Sequence, residues 1–116
     1  LTIDESVMEL ILAFRKERDW EQFHTPRNLA VSITLEATEL LEIFQWVKDK
    51  DMATLVERKR SEITDEIADI FVYLLFLCHD LGIDPKKAIV DKMKKNVEKY
   101  PAQKARGKAD KYDELR

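Results

Sequence analysis

Ile63-Thr-Asp-Glu66-Ile-Ala-Asp69-Ile70-Phe-Val-Tyr73-Leu-Leu-Phe-Leu-Cys-His-Asp-Leu81 is the stretch that decides the fold. Ile63, Ile67, Ile70, Leu74, Leu77 and Leu81 recur at helical spacing, while Val72, Leu75 and Phe76 occupy another side. A helix that is apolar around most of its circumference is buried on more than one face. It reads back to about Thr54 and stops at Gly82, a natural left-handed C-cap. Four helices from a chain this short do not surround it alone, so symmetric self-association is expected to complete the core.

Working outward, Thr25-Pro26 places an N-cap residue before a proline at the first helical position, predicting a helix from Pro26 to about Lys48. An earlier helix runs from about Asp4 to Trp20, opened by a capping box of Thr2 with Glu5. Its apolar stripe is Ile3, Val7, Leu10 and Phe14. Glu21 to Thr25 is a loop, and Asp49 to Ala53 a polar linker. Asp84-Pro85 repeats the cap-plus-proline start for a helix to Lys99, which Pro101 ends. Residues 1–101 therefore form one helical domain, and 102–116 a basic tail ordered by substrate or by a partner subunit. The expected class is all-α, a four-helix bundle completed by oligomerisation.

Composition agrees. Two Gly and three Pro in 116 residues are about 4%, against a usual ~12% for the two together, too few for a sandwich or barrel. Apolar residues make up 45%, which excludes a disordered chain. The longest apolar run, Ala68 to Cys78, is interrupted by Asp69 and is far short of the ~20 residues a bilayer requires. No membrane partner is expected. Cys78 is the single cysteine, so no internal disulfide and no zinc cluster forms. No signal peptide is read, and the expected compartment is cytoplasmic. Leu1 is not an initiator methionine, which leaves the true N-terminus open.

Charge is unevenly placed. Residues 92–116 hold nine Lys/Arg and four Asp/Glu, whereas 1–91 hold eleven and nineteen, for a net of −3 overall. An acidic body argues against nucleic acid as a partner, since duplex binding needs a basic footprint.

Chemistry concentrates in four acids. Glu36-Ala-Thr-Glu39 and Glu66-Ile-Ala-Asp69 are pairs three residues apart, neighbours on a helix surface. Glu36 lies in line with Leu29, Ile33 and Leu40; Glu39 with Leu35 and Ile43; Glu66 with Ile63 and Ile70; Asp69 with Tyr73. All four tend to face inward. Converging carboxylates repel one another and lose hydration. Either they hold protons or a cation sits among them. Oxygen donors suit a hard ion, Mg²⁺ or Mn²⁺. Glu62 stands one turn before Glu66 as a fifth ligand or a base. A di-iron site would carry Glu-x-x-His, and neither His24 nor His79 stands there. Two glycines make no phosphate-binding loop, so a phosphate ligand would be held through the metal and by Lys or Arg.

At these residues the sequence resembles the MazG-like all-α nucleoside triphosphate pyrophosphohydrolases, marked by Glu-x-x-Glu followed on the next helix by Glu-x-x-Asp. It is most similar to their dCTP pyrophosphatase branch through Glu17-Arg-Asp-Trp-Glu-Gln-Phe-His24, Pro26-Arg-Asn-Leu29, Phe44-Gln-Trp46 and Tyr73-Leu74. The likeness continues through Lys92-Met93, Asn96, Tyr100-Pro101, Arg106-Gly107 and Lys111-Tyr112, covering about residues 10–112. The resemblance implies a homo-oligomer, a tetramer rather than a dimer, that converts dCTP or a modified pyrimidine dNTP and water to the monophosphate and pyrophosphate. It implies Glu36, Glu39, Glu66 and Asp69 as Mg²⁺ ligands and catalytic acids. Trp20 and Trp46 would hold the base, with Tyr73, Asn96, Lys92, Arg106, Lys108, Lys111 and Tyr112 on sugar or phosphate. Dedicated dCTP members carry a His on the first helix where this chain has Ile11, a departure that bears on cytosine preference alone.

From the residues themselves, Mg²⁺ would neutralise triphosphate charge and stabilise departing pyrophosphate. Glu36 or Glu39 would deprotonate a water for in-line attack. Stacking on Trp or Tyr distinguishes bases poorly, so base choice falls to edge hydrogen bonds, with Asn28 and His24 as candidates. Trp20, Phe23 and Trp46 have a plainer reading as core or interface fillers. Two other functions compete: a non-enzymatic helical interaction module with the acids as surface decoration, and a broader-specificity house-cleaning pyrophosphatase.

Overall fold

The computed structural model describes residues 4–107. Within them all regular structure is helical: α1 (Glu5–Glu17), α2 (Pro26–Phe44), α3 (Met52–Arg58), α4 (Arg60–Leu81), α5 (Pro85–Lys99) and α6 (Ala102–Ala105), with 3-10 turns at Glu21–Phe23 and Asp49–Asp51. The chain divides into two compact units between Gly82 and Ile83.

Helix ends follow their capping chemistry. Thr25 accepts the Asn28 N–H at 3.1 Å ahead of Pro26, as read from the sequence. Asp84 accepts the Lys87 N–H at 3.2 Å ahead of Pro85. Gly82 closes α4 with φ 66°, the left-handed conformation that glycine adopts without a Cβ penalty. At α1 the cap is Asp4, which accepts from the Val7 N–H at 3.2 Å and the Ser6 hydroxyl at 2.6 Å. The Thr2 capping box falls on a residue outside the described ones.

Three boundaries differ from expectation. α1 ends at Glu17 because Asp19 turns left-handed (φ 53°), letting the Trp20 N–H donate back to the Arg15 carbonyl at 3.1 Å; a short polar side chain tolerates that region. α2 ends at Phe44, short of Lys48. The single helix expected over 54–81 is two, broken at Lys59 with φ −103° and ψ 14°. No Gly or Pro marks the break. Lys59 turns to Glu62 at 3.3 Å and Arg60 to Glu57 at 3.8 Å, and the separate α3 buries Leu55.

The core of the first unit is Ile11, Leu29, Leu75 and Phe76, with Met8, Leu12, Val72, Tyr73 and Leu77 packed around it. Leu29 is wholly buried. It meets Leu75 and Phe76, whereas Glu36 approaches Glu66 and Ile43 shares a cleft with Lys59 and Glu62. α2 and α4 are thus antiparallel. The stripe expected on the first helix is not the one facing this core. Met8, Ile11, Leu12 and Arg15 face it, while Val7, Leu10 and Phe14 are exposed, Leu10 by 70%. Likewise α4 buries its Leu75–Phe76 side and leaves Ile67, Leu74 and Leu81 exposed. Each helix has two apolar faces, and one chain covers only one of them.

Candidate functional site

One turn of α2 carries Glu36 and Glu39, and α4 brings Glu66 opposite. One carboxylate oxygen from each lies within 4.8 Å of the others. Glu36 continues the face that Leu29 buries, so it stays half-buried, as does Glu66; Glu39 is exposed. The Oε2 atoms of both Glu36 and Glu66 are buried without a hydrogen-bond partner. Native proteins rarely leave such atoms unsatisfied. Burial, then the close approach of Glu66 and Glu39, then the charge of Asp69, push Glu36 up to about 7. Glu66 is raised too, first by burial.

Asp69 is exposed and lies outside the three-oxygen cluster, yet close enough for its charge to raise Glu36, Glu66 and Tyr73. Beside the cluster opens a cleft of about 580 Å³ lined by Glu39, Glu42, Ile43, Lys59, Glu62, Asp65 and Glu66. Its one cation, Lys59, is turned to Glu62. The cleft therefore has a surplus of negative charge, and the acid cluster beside it has two orphaned buried oxygens. A hard divalent cation satisfies both, and the all-oxygen donor set is the kind Mg²⁺ or Mn²⁺ takes.

A second cluster is aromatic. Trp20 stands edge-on to Phe14 at 5.5 Å and to His24 at 6.5 Å between centroids. His24 packs on Phe76 at 5.3 Å and Tyr73 at 6.3 Å. Tyr73 joins this wall to the acids: burial and the charges of Glu36, Asp69 and Glu39 raise its hydroxyl, with Ser32 offsetting part through a hydrogen bond. His24 is lowered, first by burial and then by the Arg15 cation.

Of the other sequence candidates, Asn28 donates from Nδ2 to the Phe23 carbonyl at 2.9 Å, bracing the turn before α2. Trp46 is 86% exposed beyond the end of α2, outside the ring cluster. Lys92, Asn96 and Arg106 belong to the second unit; Asn96 donates to the Met93 sulfur at 3.6 Å. Lys108, Lys111 and Tyr112 lie outside the described residues. Glu62 lines the cleft.

Residues 31–115 match the model of the MazG-like family. The chain belongs to the MazG-like family. Relatives of it include dCTP pyrophosphatase 1 of Homo sapiens, 39% identical over 96% of this chain, and that of Rattus norvegicus, 37% identical over the same share. The chain spans 66% of either relative's length. A crystal structure of a pyrophosphatase from Archaeoglobus fulgidus is similar with a TM-score of 0.81 and 47% identity, covering 84% of this chain and 91% of that one.

What sequence reasoning missed is the part-buried pair of Arg15 and Asp80, which spans 65 residues and is therefore invisible to helical spacing. One signal was present: Arg15 follows Ile11 by four on the face that α1 buries.

Proposed function

We propose that this MazG-like chain is a divalent-metal-dependent nucleoside triphosphate pyrophosphohydrolase, acting on dCTP or a modified pyrimidine dNTP. The observation that carries the reading is the convergence of Glu36, Glu39 and Glu66, with two buried oxygens lacking partners. The name of the relatives, dCTP pyrophosphatase 1, supports it. Glu36, Glu39 and Glu66 would hold Mg²⁺ or Mn²⁺, with Asp69 adding a nearby charge. When bound, such an ion neutralises triphosphate oxygens and stabilises pyrophosphate as it departs.

The chain's own residues do the rest. Glu39, exposed at the rim, orients and deprotonates the water that attacks the α-phosphorus. The new P–O bond forms as the bond to the β-phosphate oxygen breaks, giving the nucleoside monophosphate and pyrophosphate. His24, Tyr73 and Trp20 offer the base a stacking wall beside the acids; stacking is worth roughly 1–3 kcal/mol and tolerates several bases. Lys92, Asn96, Arg106, Lys108, Lys111 and Tyr112 supply sugar and phosphate contacts in this reading, and Trp46 a further base contact.

The reading includes a homo-oligomer, a tetramer ahead of a dimer. Its support is apolar surface that a monomer leaves to water: Leu10 is 70%, Leu35 58% and Phe71 50% exposed. Among the described residues no helix is long and apolar enough to cross a membrane. The free, half-buried Cys78 suits a reducing, cytoplasmic setting.

A panel of canonical and C5-modified nucleoside triphosphates with Mg²⁺, products resolved, tests the reading. Monophosphate plus pyrophosphate, with pyrimidine deoxynucleotides turned over fastest, is expected. Turnover that survives chelation, or release of orthophosphate, contradicts it.

A further inference from the structure

Arg15 and Asp80 take no part in the chemistry above, yet Arg15 is the most deeply buried charged group among the described residues, 4% exposed. Its Nη1 donates to Asp80 Oδ2 at 2.9 Å and its Nη2 to Oδ1 at 2.8 Å, a two-pronged pairing that fixes orientation as well as distance. The guanidinium carbon lies 4.7 Å from the centre of the Phe76 ring. Phe76 in turn carries His24 and Tyr73 on its flanks, at 5.3 and 6.3 Å. Trp20 meets this group through its edge contact with His24 at 6.5 Å. Arg15 Nε and His24 Nδ1 are both buried without a partner, a donor and, in the neutral Nε2–H tautomer, an acceptor.

Stability alone does not account for such a pair. The Arg15 side chain is 5% exposed and that of Asp80 26%; an ion pair that keeps contact with water contributes little, and replacing one withdrawn from water by apolar residues of similar volume is often neutral or stabilising. We propose that Arg15 and Asp80 are a positioning pair: by holding Phe76, and through it His24 and Tyr73, they fix the ring wall on which the nucleobase of the substrate stacks. The assignment rests on the pyrophosphohydrolase reading for its substrate. Its effect falls on base binding, away from the acids that act on the phosphates.

The test is the double variant Arg15→Met with Asp80→Leu, which removes both charges while keeping side-chain volume. Its thermal midpoint stays at the wild-type value or above, KM for the preferred triphosphate rises about tenfold, and kcat stays within about twofold, as for loss of a binding contact. A folded double variant with wild-type KM, or one whose kcat falls while KM holds, overturns the proposal. Should the double variant fail to fold, Asp80→Asn is read the same way, with a threefold rise in KM, about the size of one weakened contact, expected. Should wild type release no pyrophosphate from any triphosphate, the functional reading falls, and the wall is tested by NMR instead. The His24 Cε1–H and Trp20 indole N–H signals move in the variant while that of Trp46 does not; unmoved His24 and Trp20 signals overturn the positioning role.

Discussion

The antiparallel α2–α4 pair places charge among apolar side chains at both ends, and the two ends neutralise it by different means. Where Leu29 meets Phe76, α1 supplies Arg15 and α4 supplies Asp80, so the chain compensates itself; the guanidinium holds the Asp80 carboxyl below its usual range. Where Glu36 meets Glu66, the same two helices bring only acids. There Glu36 is pushed up to about 7 and two buried oxygens remain without partners. One end is complete as a structure. The other leaves its charge to be met by protons or, in the function proposed above, by a cation from outside, which is the property of a site rather than of a core.

That contrast breaks most visibly at Glu66. With Glu66→Gln one ligand oxygen is lost, and pyrophosphate release falls by at least ~100-fold, more than the 10–100-fold typical of outer-shell changes. Circular dichroism and thermal midpoint remain those of wild type. A variant that keeps full turnover would put the chemistry elsewhere.

A smaller effect sharpens the comparison through pH. Glu36 keeps its proton in the folded state up to about 7, against 4.5 as the ordinary value. Between those values the unfolded chain binds fewer protons than the folded one, so the stability of the metal-free protein falls as pH rises through that window. Asp80 has the opposite sign: its pKa is lowered from 3.8, so its contribution is present above that value and is lost as pH falls through the depressed one. In chelator the midpoint should drop on the order of a few degrees between the acid and neutral sides of the Glu36 window. Glu36→Gln should flatten that slope, and a wild-type midpoint that rises instead would reverse the assignment.

Much of this was legible in the sequence, and the reasons differ from residue to residue. Helix ends marked by Thr25-Pro26, Gly82 and Asp84-Pro85 could be read because each carries its own capping chemistry. The turn at Asp19 and the break at Lys59 could not, since ordinary residues adopt them under the pull of tertiary contacts. Glu36 was readable as inward-facing because it extends a run from Leu29 and Ile33. On α1 the core-facing set is interrupted by a cation, Arg15, so the cleaner stripe of Val7, Leu10 and Phe14 looked more like a core face than the true one. That arginine's partner lies on another helix, out of reach of any local pattern. The grouping of Glu39 with Glu36 and Glu66, and the outlying place of Asp69, depend on how α2 and α4 cross.

The most direct test of the acidic end is a calorimetric titration of the wild-type protein with Mn²⁺ near pH 6, repeated in buffers of different ionisation enthalpy. Because Glu36 holds a proton below about 7, binding should be saturable and should expel about one proton per protein as the carboxylate becomes a ligand. Absence of saturable binding, or binding with no proton release, would contradict the account.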